Sequence, residues 1–112
     1  MASKNTLQKG NVRYIVFKED GIWYAVAMEF NIVEAGDSPQ EAMVLLMEAV
    51  MGYVETAQKM KTQPHVLNQA PDSEYERMWK HREGTRHESK KPVFAFGEFP
   101  LNASSIRAMA MA

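Results

Sequence analysis

The 112-residue sequence contains no cysteine, which excludes disulfide bridges, thiolate metal sites and cysteine nucleophiles. It also has no apolar run approaching the roughly 20 residues of a membrane-spanning helix, and its first fifteen residues lack an apolar signal core. Hydrophobic residues make up 46% and charged residues 24% of the chain, the composition of a globular domain rather than of a disordered segment. We therefore expect one globular domain that does not contact membranes and is located in the cytoplasm.

The common motifs of catalysis and cofactor binding are missing as well. Gly36 is the single glycine at a predicted strand-to-helix junction, and no lysine follows it as in a phosphate-binding loop. There is no G-x-S-x-G or H-E-x-x-H pattern. The spacings of His65, His81 and His87 do not place two metal ligands on one helix face. We expect no cofactor, no metal site and no catalytic residue, so that the protein is not an enzyme.

One alternative enzyme class stays open at this point. Glu29, Glu34 and Asp37 are carboxylates near the ends of predicted elements, and paired carboxylates hold the divalent ion of many nucleases. No spacing in the sequence brings two of them onto one ion. A metal-dependent nuclease is therefore the alternative hypothesis rather than the first one.

The apolar pattern predicts the secondary structure. Residues 12–18 and 22–28 are rich in β-branched and aromatic residues and are predicted to form a hairpin around Gly21, which suits a turn that needs positive φ. Further predicted elements are a strand at 30–35, a long helix at 39–60, a short helix at 73–81, a strand at 93–99, which completes the sheet or pairs with another chain, and a short helix or loose tail at 102–112. The first two strands are apolar on both faces, which predicts that a second element covers the face opposite the long helix.

These elements predict an α+β fold, a small antiparallel sheet in β-β-β-α-β order with one long helix packed on it and a short C-terminal helix and strand extension. We divide the chain into a flexible N-terminus (1–11), a core (12–61), and a loop, short helix and C-terminal strand and tail belonging to the same domain (62–112).

The start of the long helix carries the strongest local signal, the sequence GDSPQEA. Ser38 is a good N-cap, Pro39 suits the first helical position, and Glu41 completes a capping box with Ser38. Within the helix, one stripe is assigned to the sheet: Ala42, Leu46, Ala49, Tyr53 and Ala57. The apolar arc extends beyond that stripe, while Glu41, Glu48 and Glu55 mark a narrow polar edge.

Methionines at every fourth position belong to this wide apolar arc. Methionine adapts to many partner surfaces, so Met43, Met47 and Met51 are the candidate partner-binding residues. The alternative is that they fill a core within the chain, because apolar stripes on helices often do so.

The charge is divided unevenly along the chain. Residues 1–57 carry a formal net charge of −4, and residues 58–112 carry +3. Arg82, Arg86, Lys90 and Lys91 form a basic tract near aromatic residues, which makes them candidates for nucleic-acid binding. Interspersed glutamates favour a solvated linker or a subunit contact instead.

Residues 14–57 resemble the HicB-type antitoxin family. The resemblance consists of the hairpin YIVFKEDGIWYAVAM, the Glu29-Phe30 pair, a short strand and the GDSPQEA junction. Gly36, Ser38 and Glu41-Ala42 occupy the positions that the family fills with glycine, a small polar residue and an acidic-alanine pair. The later pattern of Ala70-Pro71, Tyr75 and Trp79 is similar to stand-alone members of the family.

This resemblance implies a partial ribonuclease-H-like fold without catalytic carboxylates. It also implies a binding protein that neutralises a small basic, mRNA-degrading toxin of the HicA type, and that forms homo-oligomers, dimers or tetramers. Many family members add a C-terminal DNA-binding segment, but residues 82–112 lack two amphipathic helices joined by a short turn. A self-assembling HicB-like domain without a toxin is a further alternative, with strand 93–99 exchanged between subunits.

Overall fold

A computed structural model of the chain describes Asn5 and residues 10–60, 68–81 and 93–100. In chain order these residues form β1 (Asn11–Glu19), β2 (Ile22–Ala27), a 3₁₀ turn (Met28–Phe30), β3 (Ile32–Gly36), α1 (Pro39–Met60), α2 (Ser73–Lys80) and β4 (Val93–Pro100). The strands form one antiparallel sheet in the order β3-β2-β1-β4, and α1 packs on it. The predicted α+β fold is confirmed. Residues 1–4 and 6–9 of the predicted N-terminus (1–11) and the predicted tail at 102–112 lie outside the described residues.

The connection between β1 and β2 is a two-residue turn. Asp20 and Gly21 have φ angles of 52° and 82°, and positive φ at both central residues is what a type I′ hairpin turn requires. Aspartate tolerates this region better than most residues, and glycine adopts it without strain. The turn fixes the register, in which Glu19 faces Ile22 and Phe17 faces Tyr24.

The connection between β2 and β3 differs from the prediction, which began the third strand at Phe30. Phe30 instead ends the 3₁₀ turn, and β3 begins at Ile32. Asn31 lies between them at a φ of 53°, a conformation that asparagine adopts more readily than most residues. Its side-chain Nδ2 donates to the Ala70 carbonyl at 3.1 Å, which ties the turn to the segment before α2.

The predicted capping box starts α1. Ser38 Oγ accepts a hydrogen bond from the Glu41 amide at 3.0 Å. Glu41 Oε1 accepts from the Asp37 amide, also at 3.0 Å, one residue earlier than the standard pattern. The helix spans Pro39–Met60, as predicted.

The face of α1 that packs on the sheet is rotated from the predicted stripe. Ala49 and Tyr53 are only partly buried, whereas Val50, Val54 and Met47 are buried. The buried set is Ala42, Leu46, Met47, Val50, Val54 and Ala57. At the positions where the two sets differ, Val50 in the interface removes more apolar area from water than Ala49 would.

The two faces of the sheet are covered by different helices. Val12, Val16, Ala25 and Ala27 point toward α1. Residues of the opposite parity, such as Ile15 and Val26, form a second cluster with Met78 of α2. The second cover predicted from the two-sided apolar strands is therefore α2, which packs over β1 and β4.

Strand β4 completes the sheet beside β1, one of the two predicted arrangements. Val16 pairs with Ala95 while Phe17 pairs with Val93, so that Phe94 is an extra residue in the ladder. Such a β-bulge redirects a side chain. Phe94 consequently lies against Trp23 on the α1 side, with ring centroids 4.8 Å apart.

The junction between β3 and α1 leaves no space for a side chain at position 36. A Cβ on Gly36 would lie 2.8 Å from the Ala42 amide nitrogen, whereas a Cβ on Gly52 of α1 would meet nothing within 4 Å. We expect Gly36→Ala to destabilise the protein by about 1–3 kcal/mol because helix and strand must separate. The matched Gly52→Ala should stabilise it by about 0.5–1 kcal/mol. Urea unfolding measures the change in the free energy of unfolding for both variants. Equal changes in the two variants would contradict this account of the junction.

Candidate interaction surfaces

The most connected polar group in the described residues is the guanidinium of Arg13 in β1. Its Nε donates to Glu29 Oε2 at 2.7 Å, and its backbone N–H donates to Glu29 Oε1 at 2.8 Å. Nη1 and Nη2 donate to the two carboxylate oxygens of Glu76 at 2.7 and 3.2 Å. The guanidinium carbon also lies 5.4 Å from the centre of the Trp79 ring. Arg13 therefore joins β1, the 3₁₀ turn and α2.

This group acts as a clamp for α2. A planar guanidinium with two carboxylates uses the fork geometry that distinguishes arginine from lysine. Hydrogen bonds from Arg13 hold the pKa of Glu76 below its ordinary value, against the opposing effect of partial burial. The carboxylate therefore stays ionised and bound to Arg13 at neutral pH.

A second polar group fixes the segment that leads into α2. Gln69 Nε2 donates to the Tyr53 hydroxyl at 2.6 Å, and the Gln69 amide donates to the Glu29 carbonyl at 2.8 Å. Asn68 exchanges hydrogen bonds with the backbone of Asn5, at 2.6 and 2.9 Å. These contacts tie Asn68 and Gln69 to Asn5, α1 and the 3₁₀ turn, so that α2 begins at a defined place.

The three methionines predicted to bind a partner lie in different environments. Met47 is 7% exposed and belongs to the core under α1. Met43 and Met51 are partly buried and pack against the edge of that core. Val44, which neighbours Met47 and Met51 along the helix surface, is 55% exposed. The exposed large apolar side chains of α1 are therefore Val44 and, at the C-terminal end of the helix, Met60. Met43 and Met51 add partly exposed apolar area in the part of the helix around Val44.

Acidic residues surround this area. Residues 19–58 contain eight aspartates and glutamates and no lysine, arginine or histidine, and they include all of β2 and β3 and α1 as far as Gln58. Glu41 and Glu48, which flank Val44 on the helix, are exposed. We call the surface of Val44, Met43, Met51, Glu41 and Glu48 the α1 outer face.

A different apolar surface lies along β4. Phe94 is 60% exposed and Phe96 is 37% exposed. Phe94 contacts Trp23 on the α1 side, while Phe96 lies with its ring centroid 6.1 Å from that of Trp79 on the α2 side. The two phenylalanines thus project from opposite faces of the same strand.

The structure adds no support for the nuclease alternative. Glu29 is bound by Arg13, and Glu34 and Asp37 lie in and after β3. Among residues 10–60, 68–81 and 93–100, no three His, Cys, Asp or Glu side chains come close enough to hold a metal ion. No helix in this part of the chain is long and apolar enough to cross a membrane. The predicted nucleic-acid-binding residues Arg82, Arg86, Lys90 and Lys91 lie outside the described residues.

Comparisons of the chain with protein-family models, with curated proteins and with solved structures returned no match. A relationship to HicB-type antitoxins stays a prediction from the sequence.

Sequence reasoning missed two features of these surfaces. Arg13 and Glu76 are 63 residues apart, and no local pattern connects them. Phe94 and Phe96 alternate with alanine and glycine in VFAFGEF. This pattern predicts a strand, but it does not predict which phenylalanine a bulge places on the other face of the sheet. The absence of basic residues between Lys18 and Lys59 is a sequence signal that could have placed the acidic surface on β2, β3 and α1.

The clamp gives the stability of the protein a defined pH dependence. Arg13 lowers the pKa of Glu76 in the folded state. The ion pair therefore contributes its full share to the free energy of unfolding above the ordinary glutamate pKa of about 4.3. This contribution is lost as the pH falls through the lowered pKa of Glu76 in the folded protein. We expect Glu76→Gln to be less stable than the wild type by about 1 kcal/mol at pH 7, because a partly exposed ion pair stabilises a protein by little more than this. Urea unfolding between pH 7 and pH 3 should show this difference closing at the acid end.

Glu48→Gln provides the control for this experiment, because Glu48 is exposed on α1. Its stability difference from the wild type should stay small across the same range. A gap between Glu76→Gln and the wild type that does not change with pH would contradict the clamp.

Proposed function

We propose that this protein is a non-catalytic binding protein of the HicB antitoxin type, which neutralises a small basic toxin in the cytoplasm by covering its active surface. The observation that carries this proposal is the segregation of charge. The α1 outer face combines exposed apolar area at Val44 with flanking carboxylates at Glu41 and Glu48. A surface of this kind is complementary to a basic protein.

Apolar and charged groups have separate roles in such a contact. Burial of Val44 and the partly exposed methionines supplies affinity, at about 25 cal/mol per Å² of apolar area removed from water. The carboxylates speed the encounter with a basic partner and disfavour acidic ones. A toxin that degrades RNA needs a positive surface for its substrate, and an acidic protein bound there excludes the RNA both sterically and electrostatically.

The fold supports this role because it holds the surface rigid. Val50 and Val54 fix α1 on the sheet from below, and the capping box fixes its start. A partner therefore meets a preformed helix face, so little ordering entropy is lost on binding.

Binding to the product of the adjacent reading frame tests the proposal. We expect that frame to encode a small basic protein that copurifies with this chain when the two are coexpressed. Val44→Lys and Glu48→Lys should each raise the dissociation constant of the complex by more than about tenfold, because both place a positive charge against a basic partner. Isothermal titration calorimetry at two salt concentrations measures the effect, and higher salt should weaken the wild-type complex.

Phe94→Lys is the matched control, since it also places lysine at an exposed apolar position but on β4, at the sheet edge opposite β3. It should bind the partner as the wild type does. A neighbouring gene product that is not basic or does not bind would overturn the proposed function. Wild-type affinity in both α1 variants would overturn the α1 outer face as its site.

A further inference from the structure

We propose that Met43 and Met51 form a reversible oxidation site, at which a peroxide converts both thioethers to sulfoxides and weakens partner binding at the α1 outer face. The effect on binding rests on the proposed function, whereas the site itself rests on the chemistry and burial of the side chains. The chain has nine methionines and no cysteine, so that methionine supplies all of its sulfur. Thioethers are common targets of oxidants in proteins, and their oxidation to the sulfoxide is reversible.

Burial divides the methionines of the described residues into protected and accessible positions. Met28, Met47 and Met78 are 0%, 7% and 4% exposed, so that a peroxide reaches their sulfur atoms only when the core opens. Met43 and Met51 are partly exposed at the edge of the core under α1. Because susceptibility to oxidation follows exposure, an oxidant modifies the first and third methionines of the α1 series and spares Met47 between them.

The two accessible sulfur atoms belong to the surface that is proposed to meet a partner. Eight residues separate Met43 from Met51, which is about 12 Å along a helix at about 1.5 Å per residue. A sulfoxide is polar, and its oxygen must be hydrated or hydrogen-bonded. The ionised carboxylates of Glu41 and Glu48 only accept hydrogen bonds, so they offer no donor to the new oxygens. Oxidation therefore removes apolar area from the contact and adds two acceptors that a partner must satisfy.

The oxidation needs no reactant besides the peroxide. The sulfur lone pair attacks one oxygen of hydrogen peroxide, and a sulfur–oxygen bond forms as the oxygen–oxygen bond breaks. The departing hydroxide takes up the proton of the transferred oxygen and leaves as water. Sulfur loses two electrons, and the peroxide gains them. Methionine sulfoxide reductases supply the reverse step, in which two thiols are oxidised to a disulfide and the sulfoxide oxygen leaves as water.

Peptide mass spectrometry after timed treatment of the full chain with hydrogen peroxide tests the site without a partner. We expect the sulfoxide to form at Met43 and Met51 at least about fivefold faster than at Met47, because exposure sets susceptibility. Methionine sulfoxide reductase with a dithiol should restore both thioethers. Equal rates at the three positions would overturn the proposal, as would a treated chain that has lost its thermal unfolding transition.

Isothermal titration calorimetry with the partner measures the consequence for binding, with the peroxide removed before the partner is added. Treatment should raise the dissociation constant of the complex by more than about tenfold, and the reductase should restore it. The double variant Met43→Leu, Met51→Leu keeps apolar side chains of similar volume and should bind equally well before and after treatment. Met60→Leu is the matched control, because Met60 is 69% exposed but lies at the end of α1, outside the α1 outer face. This variant should lose affinity on treatment as the wild type does.

The outcomes separate this proposal from the proposed function. A double variant that loses affinity on treatment, or a wild type that keeps it, would overturn the oxidation site as a regulator of binding. A neighbouring gene product that does not bind the untreated chain would overturn the proposed function instead. The relative oxidation rates of Met43, Met47 and Met51 measure the site in either case.

Discussion

The structure depends on one constraint, that β1 and β2 are apolar on both faces and must be shielded from water on both sides. A single helix covers one face, so α1 alone leaves Ile15, Phe17 and Val26 exposed. The chain therefore returns with α2 for the second face, and Arg13 holds α2 there through Glu76. The ion pair fixes the orientation of α2 on the sheet, while the burial of apolar side chains supplies most of the stabilisation. The remaining surfaces, on α1 and along β4, are what this double cover leaves accessible.

The accessible surfaces on α1 and along β4 have different chemistry. On α1, Val44 lies among carboxylates in a part of the chain that has no basic residue. Along β4, two phenylalanines project from a strand with one charge. Electrostatics directs an acidic surface toward basic molecules and keeps identical acidic copies apart there.

Much of the fold was predictable because its signals are local. The Asp20-Gly21 turn and the Ser38–Glu41 capping box each depend on residues within a few positions of one another, and both formed as expected.

The rotation of α1 was not predictable from periodicity, because periodicity cannot tell which part of a wide apolar arc meets the sheet. Val50 lies in the interface where Ala49 was predicted. The clamp between Arg13 and Glu76 depends on tertiary structure across 63 residues. Of the three methionines predicted to bind a partner, Met47 is buried in the core, and the exposed apolar residue beside it on α1 is Val44.

The order of the strands has a consequence for synthesis of the protein. The central strand β1 pairs on one side with β2, which follows at once, and on the other side with β4, which is among the last parts of the described chain to be made. While the ribosome is still producing the intervening residues, the second side of β1 is an open edge of backbone N–H and C=O groups without their β4 partners. The domain must therefore finish folding after β4 has left the ribosomal tunnel, and nascent chains on one polysome are exposed to mispairing during that interval.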